Sequence, residues 1–369
     1  MQTYGVKYIG SKASLVEKIL GNIDRHLDSP ADLQIIDVFA GTTRVSQAFR
    51  AKGWQVQSSD LAWATEAYAH AFLIRTEESG KRIPELIGKL NTNMDLSEAD
   101  WITNTYCDVS GIEGTGSVRM WKPKNGRRAD HLRNTIETML AEGSINKHEA
   151  MILVTCLIFA LDRVDNSVGV QQAYLKEWAK RTNDLLDFRD LPFYKGPAGK
   201  HYVGNCLSLE YSPADVAYLD PPYSAHSYST YYHIWDSITR WDKPEVSLQT
   251  NRRVDRVSKS SEFDTDMVSP WNSKRTALEA FITLCKRLPT KYLLISYNNE
   301  SLVSLDVLVE ALKTEFGEVD IENISYQRNI MSQIGNATLY NNTFKTENTE
   351  VLIWVKCLSK LGNTVKTSA

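Results

Sequence analysis

No apolar run in this 369-residue chain is long enough to cross a bilayer. The start, Met1-Gln2-Thr3-Tyr4-Gly5, lacks the basic and apolar regions of a secretion signal, so a cytoplasmic location is expected. Cysteine is scarce. Cys107, Cys156, Cys206, Cys285 and Cys357 are widely spaced, which points to reduced thiols and away from a disulfide framework. An excess of positive charge is also missing: 42 Lys and Arg face 45 Asp and Glu, a formal charge of −3. That excludes a global attraction to a polyanion, and any nucleic-acid binding has to rest on local basic patches. The three-glycine dinucleotide fingerprint is absent, which weighs against a nicotinamide or flavin cofactor. No internal repeat is evident.

What is present begins with Asp220-Pro221-Pro222-Tyr223, directly after the apolar run Val216-Ala217-Tyr218-Leu219. A buried strand opening into a loop is expected there. The two prolines fix φ and carry no amide hydrogen, leaving their carbonyls as acceptors beside a carboxylate. Such a corner accepts the protons of a planar amino group while Tyr223 stacks on its ring, chemistry suited to alkylating a nucleobase amine. The plainer alternative is a stiff turn, since Asp before Pro is common in turns.

A second motif lies upstream. Leu33, Ile35, Ile36, Val38 and Phe39 form a nearly continuous apolar run, as in a parallel strand covered on both faces. Ala40 and Gly41 let a ligand approach the backbone, and Thr42 or Thr43 is placed to cap a helix starting near Val45. A further strand, Gln55 to Ser59, ends at Asp60, where doubly wound folds often hold a ribose. An ordinary βαβ turn without a ligand is the alternative.

Elsewhere, Lys147 to Leu161 predicts a deeply buried helix, and Gln171 to Leu186 another. Helices are expected near Tyr231–Thr239, Ser273–Leu288 and Ser304–Phe316, and strands at Tyr292–Ser296, Val319–Ser325 and Glu350–Val355. The boundaries predicted are residues 1–74, a helical insert over 75–200, and 201–369 with a mobile loop at about 247–272. Two basic stretches are candidate phosphate contacts. Arg119 to Arg133 carries six Arg or Lys around Trp121 and a Gly turn, with Lys122, Arg127 and Arg128 foremost. Asn251 to Lys259 offers Arg252 and Arg253. His226 and His233 have no accompanying ligand set, so no metal is expected. Cys206 reads as a small buried hydrophobe, which disfavours cytosine ring-carbon chemistry.

On these motifs the chain resembles the Dam-like adenine-N6 DNA methyltransferases, in the alpha arrangement of motifs. Lys7-Tyr8-Ile9-Gly10-Ser11-Lys12 corresponds to the segment that helps hold the methionine end of S-adenosylmethionine. Asp37-Val38-Phe39-Ala40-Gly41 matches the cofactor loop, Asp60 the ribose carboxylate, and Asp220 to Tyr223 the catalytic motif. Thr43 stands where the family usually has a second glycine. The resemblance implies an α/β, Rossmann-like methyltransferase fold with a mixed central sheet, helices on both faces and a helical target-recognition insert. It implies Tyr8, Lys12, Asp37, Phe39, Ala40, Gly41, Asp60 and Asn205 as cofactor contacts and Asp220, Pro221, Pro222 and Tyr223 as catalytic. Tyr228 and Asn298 are expected to shape the pocket of an adenine swung out of duplex DNA. The protein is expected to be a monomer or weak homodimer, with a restriction endonuclease of the same site as a possible partner. Cytosine-N4 methylation, RNA adenine methylation and an inactive DNA-binding subunit remain open alternatives.

Overall fold

A computed structural model describes residues 1–92, 94–108, 119–171, 173–222, 228–247, 251–257, 268–298, 301–327 and 347–357. Seven strands form one sheet: β1 (Gln34–Asp37), β2 (Gln55–Asp60), β3 (Lys200–Val203), β4 (Ala214–Leu219), β5 (Thr290–Asn298), β6 (Val319–Gln327) and β7 (Glu347–Lys356). Their order is β3-β2-β1-β4-β5-β7-β6. The first five pair in parallel, and β7 runs antiparallel between β5 and β6.

Alternation along β1 explains the layers. Ile36 and Val38 face one side with the helices over Ala277–Arg287 and Leu305–Phe316, whereas Ile35 faces α1 (Val16–His26) and α2 (Arg44–Ala51). Ile35, Ile36 and Val38 are fully buried, as the nearly continuous apolar run requires of a central parallel strand. The result is an α/β, Rossmann-like sheet with helices on both faces.

The crossover from β2 to β3 carries a largely helical insert. Helix α3 (Ala64–Ala69) continues as a wide turn over His70–Ile74, and the insert then contributes α4 (Ile83–Leu90), α5 (Trp101–Tyr106), α6 (Pro123–Ala141) and α7 (Lys147–Arg163). Helix α7 starts at a reciprocal cap, in which Asn146 Oδ1 accepts from Glu149 N at 2.9 Å and Glu149 Oε2 from Asn146 N at 3.0 Å. Its apolar residues share one core with α3 and with the helix over His233–Arg240.

Three local expectations need correction. No long helix forms over 171–186; among its described residues only a short 3₁₀ turn, Lys180–Asn183, appears. Buried amides take the bonds a helix would make internally: Asn166 Oδ1 accepts from Ala179 N at 2.8 Å, and Asn125 Oδ1 from Leu186 N at 2.9 Å. Nor is Arg119–Arg133 a loop with a Gly turn, because α6 begins at Pro123 and absorbs most of it. Gly126 makes no turn; a Cβ there would lie 2.4 Å from Cys107 Sγ, so the glycine allows two segments to touch. Trp121 is fully buried, donating Nε1–H to Leu161 O at 3.0 Å. Thr43 begins α2 with φ of 60° and no side-chain cap, its hydroxyl accepting from Gln47 Nε2 instead. That backbone conformation is the one glycine adopts without strain, which accounts for the glycine usual in the resembled family.

The two ends of the insert are clamped together. Arg75 forms a two-point pair with Asp190 at 2.7 and 2.8 Å. Beneath it, buried Arg50 donates to the carbonyls of Phe72, Arg75 and Gly196. Replacing Arg50 by Met leaves three carbonyls without this donor, and urea titration should show about 3 kcal/mol of lost stability.

Candidate active site

The sheet order reverses direction between β1 and β4, so a crevice opens at their carboxyl ends. Both sequence motifs issue there. Ile35, Ile36 and Asp37 pair with Val216, Ala217 and Tyr218, and Val38 N extends the ladder to Tyr218 O at 3.1 Å. The loop after β1 and the loop after β4 therefore emerge side by side. They wall a cleft together with Tyr8–Gly10, Lys12, Asp60–Ala62, Gly204–Cys206 and Val268–Asn272.

On the β1 side, Asp60 shapes the loop. Its Oδ2 accepts from Gly41 N at 2.8 Å and its Oδ1 from Ala62 N at 2.9 Å. Burial raises this carboxyl above its ordinary range, opposed by those backbone donors. Gly41 has φ of 48°, and a Cβ there would sit 3.3 Å from the Tyr8 ring. Tyr8 itself stacks on Tyr232 with ring centroids 4.4 Å apart and leans on Tyr228 at 5.3 Å. Phe39 meets the edge of Trp271 at 5.2 Å. Asn205 lines the cleft, while Ala40 ties β1 to β2 through Ser59 O at 3.0 Å.

Below the loop, Asp37 is 1% exposed and accepts from Ser46 Oγ, while its Oδ1 has no hydrogen-bond partner among the described residues. Burial pushes this carboxyl up to about 7; Ser46 works against the shift, and Asp220 and Asp60 add to it.

On the β4 side, Asp220, Pro221 and Pro222 line the cleft. Tyr223 lies outside the described residues, as does His226. Lys12 Nζ lies 2.9 Å from Asp220 Oδ1 and 3.0 Å from Glu350 Oε1. Burial opposes the Lys12 charge, yet the two carboxylates outweigh it and raise its pKa. Tyr228 is half-buried on the cleft wall against Tyr8. His233 is fully buried, its Nδ1 3.0 Å from Thr230 O. Cys206 is buried as expected, and burial pushes its thiol up to about 12, which keeps it from acting as a thiolate.

The basic residues fall into two groups. In the insert, Lys122 donates to Asn183 Oδ1 at 2.5 Å and Arg127 to Ser97 O at 2.6 Å, and Arg128 is half-buried. Near the cleft, Arg252 and Arg253 form a two-residue ladder with Val246 and Ser247. Arg253 is 3% exposed, its guanidinium fixed by Asp242 and Asp255 at 2.8 to 3.1 Å, which makes it a brace inside the fold. Residues 258–267 of the expected loop lie outside the described residues, whereas Val268–Asn272 wall the cleft. Asn298 ends β5 opposite Glu350 and is not among the described residues that line the cleft. Sequence reasoning missed Trp271, Leu61, Ala62 and Glu350. Only Trp271, beside Pro270, carried a local signal.

These residues fit S-adenosylmethionine. The cofactor is a cation with a free amino group, a ribose and a flat base. The cleft offers more carboxylates than ammonium groups, a carboxylate at the end of β2 and the apolar Phe39–Trp271 wall, and beneath its β1 loop lies Asp37 Oδ1, a buried acceptor without a partner among the described residues. Gly41→Val should therefore weaken S-adenosylmethionine binding by about a hundredfold in calorimetry, since the side chain meets Tyr8 and a strained φ. For Asp37 the sign follows from proton linkage: the folded state holds the extra proton, so its burden on stability grows as pH rises from the ordinary carboxylate value through about 7. Melting curves of ligand-free Asp37→Asn should show a gain over the natural chain at about pH 8 that shrinks toward about pH 4.

The profile of the D12 class N6 adenine-specific DNA methyltransferases matches residues 8–307. Modification methylase StsI of Streptococcus sanguinis is 28% identical over 88% of this chain and 48% of its own length. Modification methylase LlaI of Lactococcus lactis subsp. lactis is 30% identical over 87% of this chain and 51% of its own. Type II methyltransferase M.NlaIII of Neisseria lactamica is 29% identical over 88% and 92% respectively. The chain thus spans about half the length of the first two and nearly all of the third. With the cofactor loop and the Asp-Pro-Pro corner meeting at one crevice inside the matched region, the chain belongs to the D12 class of N6 adenine-specific DNA methyltransferases.

Proposed function

We propose that this chain methylates the N6 amino group of an adenine swung out of duplex DNA, as the modification half of a restriction-modification pair. The observation that carries the reading is the placement of Asp220 and Pro221 at the crevice between β1 and β4, beside the Gly41–Asp60 loop. S-adenosylmethionine, when bound, supplies a methyl group on a positively charged sulfur. The residues that hold it in this reading are Tyr8, Asp37, Phe39, Gly41, Asp60 and Asn205, with Trp271, Leu61 and Ala62 added by the cleft walls.

An adenine amine is a weak nucleophile because its lone pair is delocalised into the ring. The Asp220 carboxylate accepts one amino hydrogen and the Pro221 carbonyl the other, which pulls the nitrogen out of the ring plane and frees the lone pair. This is positioning and fixed electrostatics, with no covalent intermediate. The nitrogen becomes acidic once it carries the methyl group, and its surplus proton passes to the Asp220 carboxylate. Tyr223 supplies the stacking face, and Tyr228 lies on the cleft wall where it can turn toward the base.

The insert over residues 75–200 serves as the target-recognition region, with Arg252 placed toward the DNA backbone. A guanidinium suits phosphates, which position DNA without reading it. Among the described residues no helix is long and apolar enough to cross a membrane. The reading places the enzyme with the DNA of a bacterial or phage-infected cytoplasm, as a monomer or weak dimer, protecting sites from a cognate nuclease.

Asp220→Ala should abolish methyl transfer to DNA lacking adenine methylation, with binding of S-adenosylmethionine retained within about threefold. Nucleoside analysis of the product should show N6-methyladenine. Methylation retained by the variant, or N4-methylcytosine as product, would reject the reading.

A further inference from the structure

Lys12 joins two carboxylates that arrive from different strands. Its ammonium has three N–H donors, and among the described residues its acceptors include Asp220 Oδ1 at 2.9 Å, Glu350 Oε1 at 3.0 Å and Gly10 O at 3.2 Å. Asp220 follows β4, whereas Glu350 lies on antiparallel β7, where its Oε1 also accepts from Ser296 Oγ of β5 at 2.7 Å. The Lys12 and Glu350 side chains are 5% and 2% exposed, and that of Asp220 is 16%. Of the two carboxylates, one faces the cleft and the other is sealed beneath it.

A sealed carboxylate is costly unless it is paired, and nothing in methyl transfer to an amine needs one at that depth. Its effect on Asp220 supplies the reason. A carboxylate gripped by an ammonium is a poorer acceptor for an amino hydrogen, because the cation cancels its charge. With Glu350 present, the three groups sum to −1, so Lys12 is already neutralised from below. When Asp220 turns toward an amine, Lys12 keeps Glu350 and Gly10 O as partners and is not left as a buried unpaired cation.

We propose that Glu350 is a positioning residue for the reaction: it holds Lys12 from below, so that Asp220 is oriented by the ammonium yet keeps the negative charge that grips the amine. This rests on the reading of Asp220 given above. Glu350 touches neither substrate and acts only through Lys12. The Ser296 hydroxyl donates to the same Oε1 that faces Lys12 and keeps it in register with β5.

The test uses the full chain, DNA lacking adenine methylation and tritiated S-adenosylmethionine. Glu350→Gln preserves shape and the Ser296 contact but removes the charge. We expect kcat to fall by about tenfold or more, while KM for DNA and the dissociation constant for S-adenosylmethionine stay within about threefold. In a Lys12→Met background, adding Glu350→Gln should leave kcat unchanged within about twofold, because the residue has lost its intermediary. A second readout needs no turnover. Lys12→Met should lower the melting temperature of the ligand-free protein, and the double variant should recover part of the loss by removing an unpaired buried carboxylate. An unchanged kcat in Glu350→Gln, equal losses in kcat and binding, a further fall in the double variant, or additive losses in melting temperature would each overturn the proposal. Because Asp220→Ala is assayed in parallel, its loss of transfer upholds the reading of Asp220 even when Glu350→Gln proves silent.

Discussion

The parallel pairing of β1 with β4, Asp37 opposite Tyr218, is the contact on which the site depends. Two strands separated by about half the chain lie side by side with their carboxyl ends together. Because the connections leave the sheet in opposite directions from this pair, no crossing element covers the gap between the loops. The carboxylate of Asp60 then pins the first loop by two backbone N–H groups, and the prolines stiffen the second. A cleft with one apolar wall and a surplus of acid groups follows from those few constraints.

A short N-terminal strap joins this cleft to everything around it. Arg44 of α2 holds the carbonyls of Thr3 and Gly5, and the Tyr232 hydroxyl accepts from Ile9 N at 2.7 Å. Lys7 reaches Asp165 at 2.8 Å beyond the end of α7, while Lys12 spans β4 and β7. The helical segment is thereby fastened to the loop after β4 by ion pairs whose carboxylates at Asp165 and Glu350 are buried, and breaking them leaves an uncompensated charge. Its placement in the crossover to edge strand β3 is also economical, since loop-closure entropy grows only slowly with length.

Much of this was legible in residues. The run from Leu33 to Phe39 gave a central parallel strand, and the dense apolar stretch of Lys147–Leu161 gave a buried helix, because burial on all sides leaves no polar face to write. The strands at 292–296 and 350–355 were found within a few residues of their observed ends. Where reading failed, a distant side chain had replaced a local bond. Asn125 and Asn166 capture the backbone of the segment before Leu186, and Cys107 meets Gly126, so a helical periodicity and a turn glycine both misled. Charge misled in the same way: Arg253 looked like a phosphate contact until Asp242 and Asp255 closed around it.

By itself, the sequence determined the kind of chemistry and the layers that support it, because proline geometry, glycine permissiveness and hydrophobic period are properties of neighbouring residues. It identified Lys12, Asp37, Asp60 and Asp220 singly. Only the tertiary structure decided which of them share a charge. Glu350 and Trp271 joined the site solely through folding, one by the register of an antiparallel strand against β5 and the other by a turn packed on Phe39. Such partnerships depend on distances of about 3 Å between residues hundreds of positions apart, and at that separation along the chain no local pattern records them.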